Sequence, residues 1–234
     1  MEMNGLPLVV MAMEAEALPI RKRLGLEGPG AKIIDGLNAR IWSNDLVHLV
    51  TNGIDPRFKV DSIGTLPAAL TTFAAINSVQ AEIVISAGTC GGFIQKGGSI
   101  GEVIVANRCV FHDHRIPLEG FEKYGFGDFP VVDMSAVAGS LGFRVGTVST
   151  GDALDAQSCD LERLMEIQAI AKDMEAAAVA WVCEKAGVPF TALKVTTDLV
   201  DGEEPTEIEF SANLKFASER LSEAMFSLIH ELKN

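Results

Sequence analysis

The chain has 234 residues, of which 48% are hydrophobic, and its formal net charge at pH 7 is −13. This length is typical of one large α/β domain, and the hydrophobic content is ample for one sizeable core, so we expect a single domain over residues 1–234. The negative charge argues against nucleic-acid binding, which depends on lysine and arginine side chains at phosphates. Its simplest consequence is solubility.

The cysteines and the apolar runs bear on the cellular compartment. Cys90, Cys109, Cys159 and Cys183 form no CxxC pair, and none has a histidine at zinc-finger spacing. The apolar start of the chain lacks a basic region and a cleavage site, and no apolar run reaches the length of a membrane span. We therefore expect a reduced, cytoplasmic protein without a membrane partner.

Apolar runs and turn residues divide the chain into alternating strands and helices. In chain order, strands are predicted at 6–13, 46–51, 82–87, 101–106, 109–111, 142–150 and 190–195. Helices are predicted at 14–25, 60–77, 161–170, 172–186 and 206–232. This alternation predicts an α/β fold with a central, mostly parallel sheet covered by helices.

Polar groups recur where the predicted strands end. Glycines fill the segment 88–92 (GTCGG), which is expected to be a loop, and Asp152, Glu175 and Asp198 lie at later junctions. In open α/β sheets, ligands bind beyond the carboxyl ends of the strands. These groups are therefore candidates for one shared site.

Two further acids, Glu14 and Glu16, open the first helix. They are two residues apart, so their side chains point in directions about 200° apart and only one can face that site. A different interpretation stays open, because acids near a helix N-terminus also complement the helix dipole.

Several other chemistries lack their sequence signatures. The chain contains no phosphate-binding loop, no GxGxxG segment and no GxSxG elbow. His112, Asp113 and His114 resemble part of a metal site, but a further spaced ligand group is missing, so a polar loop or subunit contact is the alternative and we expect no metal. Cys90 is the candidate for a nucleophilic cysteine. Separated carboxylates remain, and these suit hydrolysis of a glycosidic bond, with one acid and one group that activates water.

Five segments in order along the chain resemble the 5′-methylthioadenosine/S-adenosylhomocysteine nucleosidase family, above all its plant-type branch. They are AMEAEALP (12–19), SAGTCGGF (86–93), STGDALD (149–155), KDMEAAAVA (172–180) and LKVTTDLVDG (193–202). FHDHRIP (111–117) and DSIGTLPAAL (61–70) strengthen the resemblance to the plant-type branch.

The resemblance implies a nucleoside phosphorylase-like fold, with a mixed sheet surrounded by helices, in a homodimer. It also implies hydrolysis of the N-glycosidic bond of 5′-methylthioadenosine to adenine and 5-methylthioribose, as in methionine salvage, without a cofactor. The partner is then a small purine nucleoside. The segment around Asp155 and the loop 113–130 differ from bacterial relatives. We therefore expect weaker or no activity on S-adenosylhomocysteine.

The resemblance also assigns the catalytic roles. Asp198 is expected to be the general acid that protonates adenine N7, and Glu16 is expected to activate the water. Glu175 and Met174 are expected to bind the ribose. Protonation of the base requires a raised pKa for Asp198, as burial would provide. The N-terminus of a helix favours an ionised Glu175.

Four more positions match the family's binding residues. By resemblance, Thr89 lies near the water and the ribose, and Leu154 and Asp155 belong to the segment that contacts adenine. Lys194 stands where bacterial relatives carry arginine, close to the ribosyl side.

Two other functions remain open at this point. A nucleoside phosphorylase would need cations or an anion-binding nest at the ribose face, and Arg57 and Lys59 are the candidates for them. A non-catalytic storage or binding protein of the same fold would be expected to lack the carboxylates Glu16, Glu175 and Asp198.

Overall fold

The computed structural model of the protein describes residues 5–233, in which strands and helices alternate. The strands are β1 Leu6–Met11, β2 Ala31–Lys32, β3 Arg40–Ser43, β4 His48–Thr51, β5 Ala81–Gly92, β6 Val103–Phe111, β7 Arg144–Thr150, β8 Ala169–Asp173 and β9 Phe190–Leu199. The α-helices are α1 Glu14–Arg23, α2 Thr65–Ser78, α3 Phe121–Phe126, α4 Ser135–Leu141, α5 Ser158–Glu166, α6 Ala176–Ala186 and α7 Thr206–Leu232.

The strands form one mixed sheet in the order β2-β3-β4-β1-β5-β8-β7-β6-β9. Strand β1 is parallel to β4 and β5, whereas β5 is antiparallel to β8 and β6 is antiparallel to β9. Strand β9 also pairs in parallel with β5, so β5, β8, β7, β6 and β9 close into a ring. The prediction of a mixed sheet is confirmed, but the sheet is not open throughout.

Helices cover the sheet on two sides because successive strand residues point in opposite directions. Leu8 belongs to a buried cluster beneath α2 and α6, and its neighbour Val9 belongs to a second cluster beneath α1 and α7. Full burial of such a side chain contributes about 1.5–3 kcal/mol. These clusters hold the strand ends in place, and with them the polar groups of the candidate site.

The segment 161–173 departs from the prediction of two helices. Helix α5 ends at Glu166, and β8 follows it, between β5 and β7 in the sheet. The sequence of β8, AIAKD, has no β-branched run, so its alanines favour a helix on local propensity. Pairing with two neighbouring strands outweighs that preference. As a result, Asp173 ends a strand, and the helix begins after Glu175.

The glycine segment 88–92 is also not a loop. It continues β5, pairs with β9 along its length, and pairs with β8 at Gly91 and Gly92. The loop 113–130 contains α3, and Phe129 at its end is buried. Helix α7 has the predicted bounds. Among residues 5–233, no helix combines the length and the apolar character needed to cross a bilayer.

Candidate active site

A cavity of about 160 Å³ opens where β5, β8 and β9 end beside the start of α1. Six of the eight predicted site residues line it: Glu16, Thr89, Leu154, Met174, Glu175 and Asp198. They come from distant parts of the chain and are brought together by the ring of strands. Asp155 and Lys194 are not among the lining residues.

Glu16 is held at the cavity by Thr89. The Thr89 backbone N–H and hydroxyl both donate to Glu16 Oε1, at 2.8 Å and 2.6 Å. Burial raises the pKa of Glu16, and the two hydrogen bonds from Thr89 oppose that rise. Glu14 points elsewhere, where it accepts a hydrogen bond from Thr51 and pairs with Arg21. The prediction that only one of the two acids faces the site is confirmed.

Asp198 lies on β9 and is 3% exposed. The Thr197 hydroxyl donates to its Oδ1 at 2.8 Å. Burial raises the pKa of Asp198, as predicted for a proton donor, although this hydrogen bond and the charge of Lys172 act in the opposite direction. Gly91 gives the carboxylate its space, since a Cβ there would lie 2.8 Å from Asp198 Oδ2 and 2.5 Å from Val200 Cγ2.

Glu175 precedes the first turn of α6 as its N-cap residue, and its Oε1 accepts a hydrogen bond of 2.9 Å from the Gly64 backbone N–H. Burial raises the pKa of Glu175 to about 7 despite the nearby charge of Lys194. Burial therefore outweighs the helix N-terminus. This rise acts against the ionised form that the helix N-terminus was expected to favour, and the ionisation of Glu175 stays a prediction.

Lys194 lies behind the cavity in a buried ion pair. Its Nζ is 2.7 Å from Asp173 Oδ2, and the two side chains are 1% and 0% exposed. The Thr150 hydroxyl donates to Asp173 Oδ1, and the Ala176 N–H donates to Asp173 Oδ2. Burial lowers the pKa of Lys194, but the neighbouring Asp173 and Glu175 carboxylates outweigh this effect and raise it overall. Lys194 thus does not line the cavity. Its charge pairs with Asp173 and lowers the pKa of Glu175 from behind the cavity.

Lys172 lines the cavity and was not predicted as a site residue. Its Nζ donates to the Ala153 carbonyl at 2.5 Å and to the Leu154 carbonyl at 3.0 Å. The sequence predicted Lys172 as the first residue of a helix. A strand prediction for 169–173, inside the sheet, would have indicated a buried lysine. Asp155, by contrast, is exposed to solvent and does not line the cavity.

The rest of the wall near these groups is largely apolar. It includes Ile63 before α2, Val200 after β9 and Phe210 in the first turns of α7. Sequence reasoning named none of the three. Each lies in a stretch of the sequence where it cannot be distinguished from residues that only pack a helix or a strand.

The groups considered for other chemistries do not support them, although Cys90 lines the same cavity. Cys90 is buried and its pKa is raised by burial, which keeps the thiol protonated and unreactive. His112 is buried and hydrogen bonded to the Ser149 hydroxyl, 3.1 Å away. In the described part of the chain, no group of three or more His, Cys, Asp or Glu side chains is arranged to hold a metal. Arg57 and Lys59 are exposed and do not line the cavity.

The fold and the cavity define the class of protein. Residues 7–232 match the family model described as the phosphorylase superfamily, which accounts for nearly all of the described chain.

Relatives within this class are more specific. A 5′-methylthioadenosine nucleosidase from Arabidopsis thaliana is 41% identical over 210 residues, which cover 88% of this chain and 79% of the relative. A 5′-methylthioadenosine/S-adenosylhomocysteine nucleosidase from the same plant is 37% identical over 225 residues, which cover 94% and 89%. The solved apo structure of the Arabidopsis thaliana 5′-methylthioadenosine nucleosidase superposes with a TM-score of 0.94, at 38% identity, over 98% of this chain and 97% of the other. The chain belongs to the 5′-methylthioadenosine nucleosidase family.

Proposed function

We propose that the protein hydrolyses the N-glycosidic bond of 5′-methylthioadenosine to adenine and 5-methylthioribose. One observation carries the proposal: Glu16 and Asp198 face the same cavity with different hydrogen-bond donors, so they can perform different proton transfers. The 41% identity to a protein of that name supports the choice of substrate.

In this mechanism, Asp198 gives its carboxyl proton to adenine N7. The bond between C1′ and N9 then breaks, and its electron pair leaves with the base. A buried carboxyl group with a raised pKa retains the proton for this task. The positive charge that develops on the ribose is stabilised by nearby carboxylates.

Glu16 accepts a proton from the attacking water as the bond between the water oxygen and C1′ forms. Hydrogen bonds from Thr89 favour the ionised carboxylate that this step requires. Glu175, with Met174 beside it, lies where it can accept hydrogen bonds from ribose hydroxyl groups. Binding of such donors favours its ionised form, although its pKa is about 7 without ligand.

Phosphorolysis is the alternative, and the geometry favours water. The Thr89 N–H and hydroxyl, which would suit an oxyanion of phosphate, donate to Glu16. Arg57 and Lys59 lie outside the lining of the cavity. A phosphate dianion would therefore meet a carboxylate and would not meet the two proposed cations.

The lining of the cavity supports a preference for the smaller nucleoside. Ile63, Val200 and Phe210 offer an apolar surface, which suits a methylthio group better than the charged amino-acid tail of S-adenosylhomocysteine. We propose that the first nucleoside is preferred and the second is cleaved weakly or not at all. One Arabidopsis relative is named for both nucleosides, so both should be tested as substrates of this protein.

We also propose a cytoplasmic homodimer that acts in methionine salvage. On α2, Leu66, Leu70 and Phe73 are 76%, 54% and 62% exposed, so this helix presents an apolar face in the single chain. Such a face is typical of a subunit interface. All four cysteines are free thiols, which is consistent with a reducing compartment.

One assay tests the reaction. Purified protein is incubated with 5′-methylthioadenosine, with and without phosphate, and adenine, 5-methylthioribose and its 1-phosphate are quantified. We expect adenine and the free sugar at a rate that phosphate does not change. A phosphate-dependent rate that yields the sugar phosphate would establish phosphorolysis. Tight binding without release of adenine would indicate a binding protein. Parallel kinetics with S-adenosylhomocysteine test the preference.

A further inference from the structure

Lys172 is a buried lysine that lines the cavity and has no role in the steps above. It is 5% exposed. Lysine is almost never buried without partners, and an ammonium group has three donors. Two of them bind the carbonyls of Ala153 and Leu154. Among residues 5–233, the third has no protein acceptor within hydrogen-bond distance.

The two carbonyls belong to the cavity wall between β7 and α5. Residues 151–157 have no regular secondary structure, and Leu154 lines the cavity although it is 41% exposed. Lys172 joins this irregular wall to β8 in the closed ring of strands.

Lys172 and Asp198 line the same cavity, and the charge of Lys172 lowers the pKa of Asp198. Charged or titratable groups that act on Asp198 are Lys172 from β8 and Glu209 from α7, and the buried thiol of Cys90 on β5 is a further neighbour. Glu209 and Lys172 act in opposite directions on the pKa of Asp198: the first raises it and the second lowers it.

Lys172 itself is surrounded mainly by acids. Burial lowers its pKa, and the carboxylates of Asp198, Asp173, Asp155 and Asp160 oppose this change. His112 is also near, and the charge of Lys172 contributes to its lowered pKa. The acids favour the ammonium form of Lys172.

We propose that Lys172 is a positioning residue for the hydrolysis, which ties wall residues 153–154 to the sheet and places a positive charge beside Asp198. The proposal rests on the function proposed above. Burial alone would make Asp198 a weak acid. The ammonium group stabilises the carboxylate that remains after the proton has moved to the purine, and so makes Asp198 a better donor.

Three substitutions separate the two effects. Lys172→Arg keeps the charge and the donors. Lys172→Gln removes the charge and keeps an amide donor on a side chain one bond shorter. Lys172→Met keeps much of the length of the side chain and removes both. The pH dependence of kcat/KM for adenine release and the KM for 5′-methylthioadenosine are measured for each.

The alkaline limb of the pH profile reports loss of the Asp198 proton. We expect it to move upward by roughly one pH unit in Lys172→Gln and Lys172→Met, because loss of a nearby positive charge raises the pKa of a carboxyl group. In Lys172→Arg we expect it to stay in place. The KM is expected to rise most in Lys172→Met, which loses the tie to the wall. If that variant does not fold, the comparison of Gln with Arg still decides the effect of charge.

A second readout does not depend on turnover. The carboxyl ¹³C signal of Asp198 is titrated in the ligand-free wild type and in Lys172→Gln, and its midpoint is expected to rise in the variant. An unchanged midpoint and an unchanged limb in folded Lys172→Gln would overturn the role of the charge, while wild-type adenine release would leave the proposed function intact. An absence of wild-type adenine release, with a shifted midpoint, would refute the proposed function and support the electrostatic role of Lys172.

Discussion

Lys194 Nζ lies 2.7 Å from Asp173 Oδ2 in a pair whose side chains are almost entirely withdrawn from solvent. Asp173 is further satisfied by the Thr150 hydroxyl and the Ala176 N–H. The pair fixes β9 against the junction of β8 and α6, from which Met174 and Glu175 reach the cavity. It is therefore a structural support for the site.

Removal of one member of this pair is expected to destabilise the fold. Lys194→Met leaves the Asp173 carboxylate buried without a counter-charge, which typically costs about 3–5 kcal/mol. The free energy of unfolding from urea titrations measures the loss. Lys185→Met, which removes an exposed pair with Glu184, is the control and should cost less than about 1 kcal/mol. A double variant with Asp173→Asn should recover part of the loss; equal losses in Lys194→Met and Lys185→Met would contradict the argument.

Asp198→Asn tests the proton donor. The amide cannot give a proton to the leaving base, so kcat for 5′-methylthioadenosine should fall by about 10²–10⁴-fold. Asp133→Asn, at an exposed carboxylate before α4, is the matched control and should leave kcat unchanged. A ribosyl substrate with a nitrophenolate leaving group needs no proton, and its cleavage should suffer far less. Wild-type kcat for adenine release in Asp198→Asn would refute the assignment.

Thr89 is expected to set the acid limb of the pH profile. Its hydroxyl donates to Glu16 and lowers the pKa of that carboxyl. Thr89→Val removes this donor, so the pKa of Glu16 rises and the ionised base is lost at a higher pH as the solution is acidified. The acid limb of kcat/KM should therefore shift upward. Thr89→Ser retains the hydroxyl and should keep the wild-type limb; an upward shift in both variants would exclude the hydrogen bond as the cause.

Glu175 should make stability depend on pH. Its folded-state pKa is raised from 4.5 to about 7, so between these values the folded protein binds a proton that the unfolded chain has released. The free energy of unfolding should then decrease as pH rises through this window. Glu175→Gln removes this contribution and keeps an oxygen for the Gly64 N–H. Urea titrations from pH 4.5 to 7 should give a shallower decrease for the variant, because Glu16 and Asp198 still contribute with the same sign. Parallel pH dependences would argue against a raised pKa.

Gly91→Ala tests the space around the proton donor. The added Cβ would lie 2.8 Å from Asp198 Oδ2, so the carboxylate must move. A displacement of about 1 Å in catalytic geometry can cost about 10²-fold in rate. We expect a comparable fall in kcat, whereas Tm should change little. Gly139→Ala in α4, where a Cβ meets open space, is the control. Unchanged kcat in Gly91→Ala would show that the site tolerates the methyl group.

The sequence predicted the long elements and the position of Glu16 and Asp198 at one cavity because each carries a local signal. Helix α7 begins after Pro205 and keeps an apolar face to its end, so its bounds were predictable. Glu16 and Asp198 lie where an apolar strand meets polar residues. The opposite roles proposed for them come from the resemblance, since spacing alone does not say which acid holds a proton.

Other features depend on partners that are distant in sequence. The short strand β8 exists because β5 and β7 flank it, and its alanines favour a helix locally. For the same reason Lys172 was not predicted to line the site. The raised pKa of Glu175 was not predicted, because the helix N-terminus is a local feature, whereas burial is set by the whole fold.

The glycines of β5 have a consequence for motion at the site. Gly91 and Gly92 are paired with strands on both sides, so the floor of the cavity is part of the sheet itself. Their backbone amides should exchange with deuterium as slowly as those of the core, whereas the irregular segment 151–157 should exchange much faster. Such a difference would mean that the wall opens locally, above a rigid floor, when a nucleoside enters and when adenine departs.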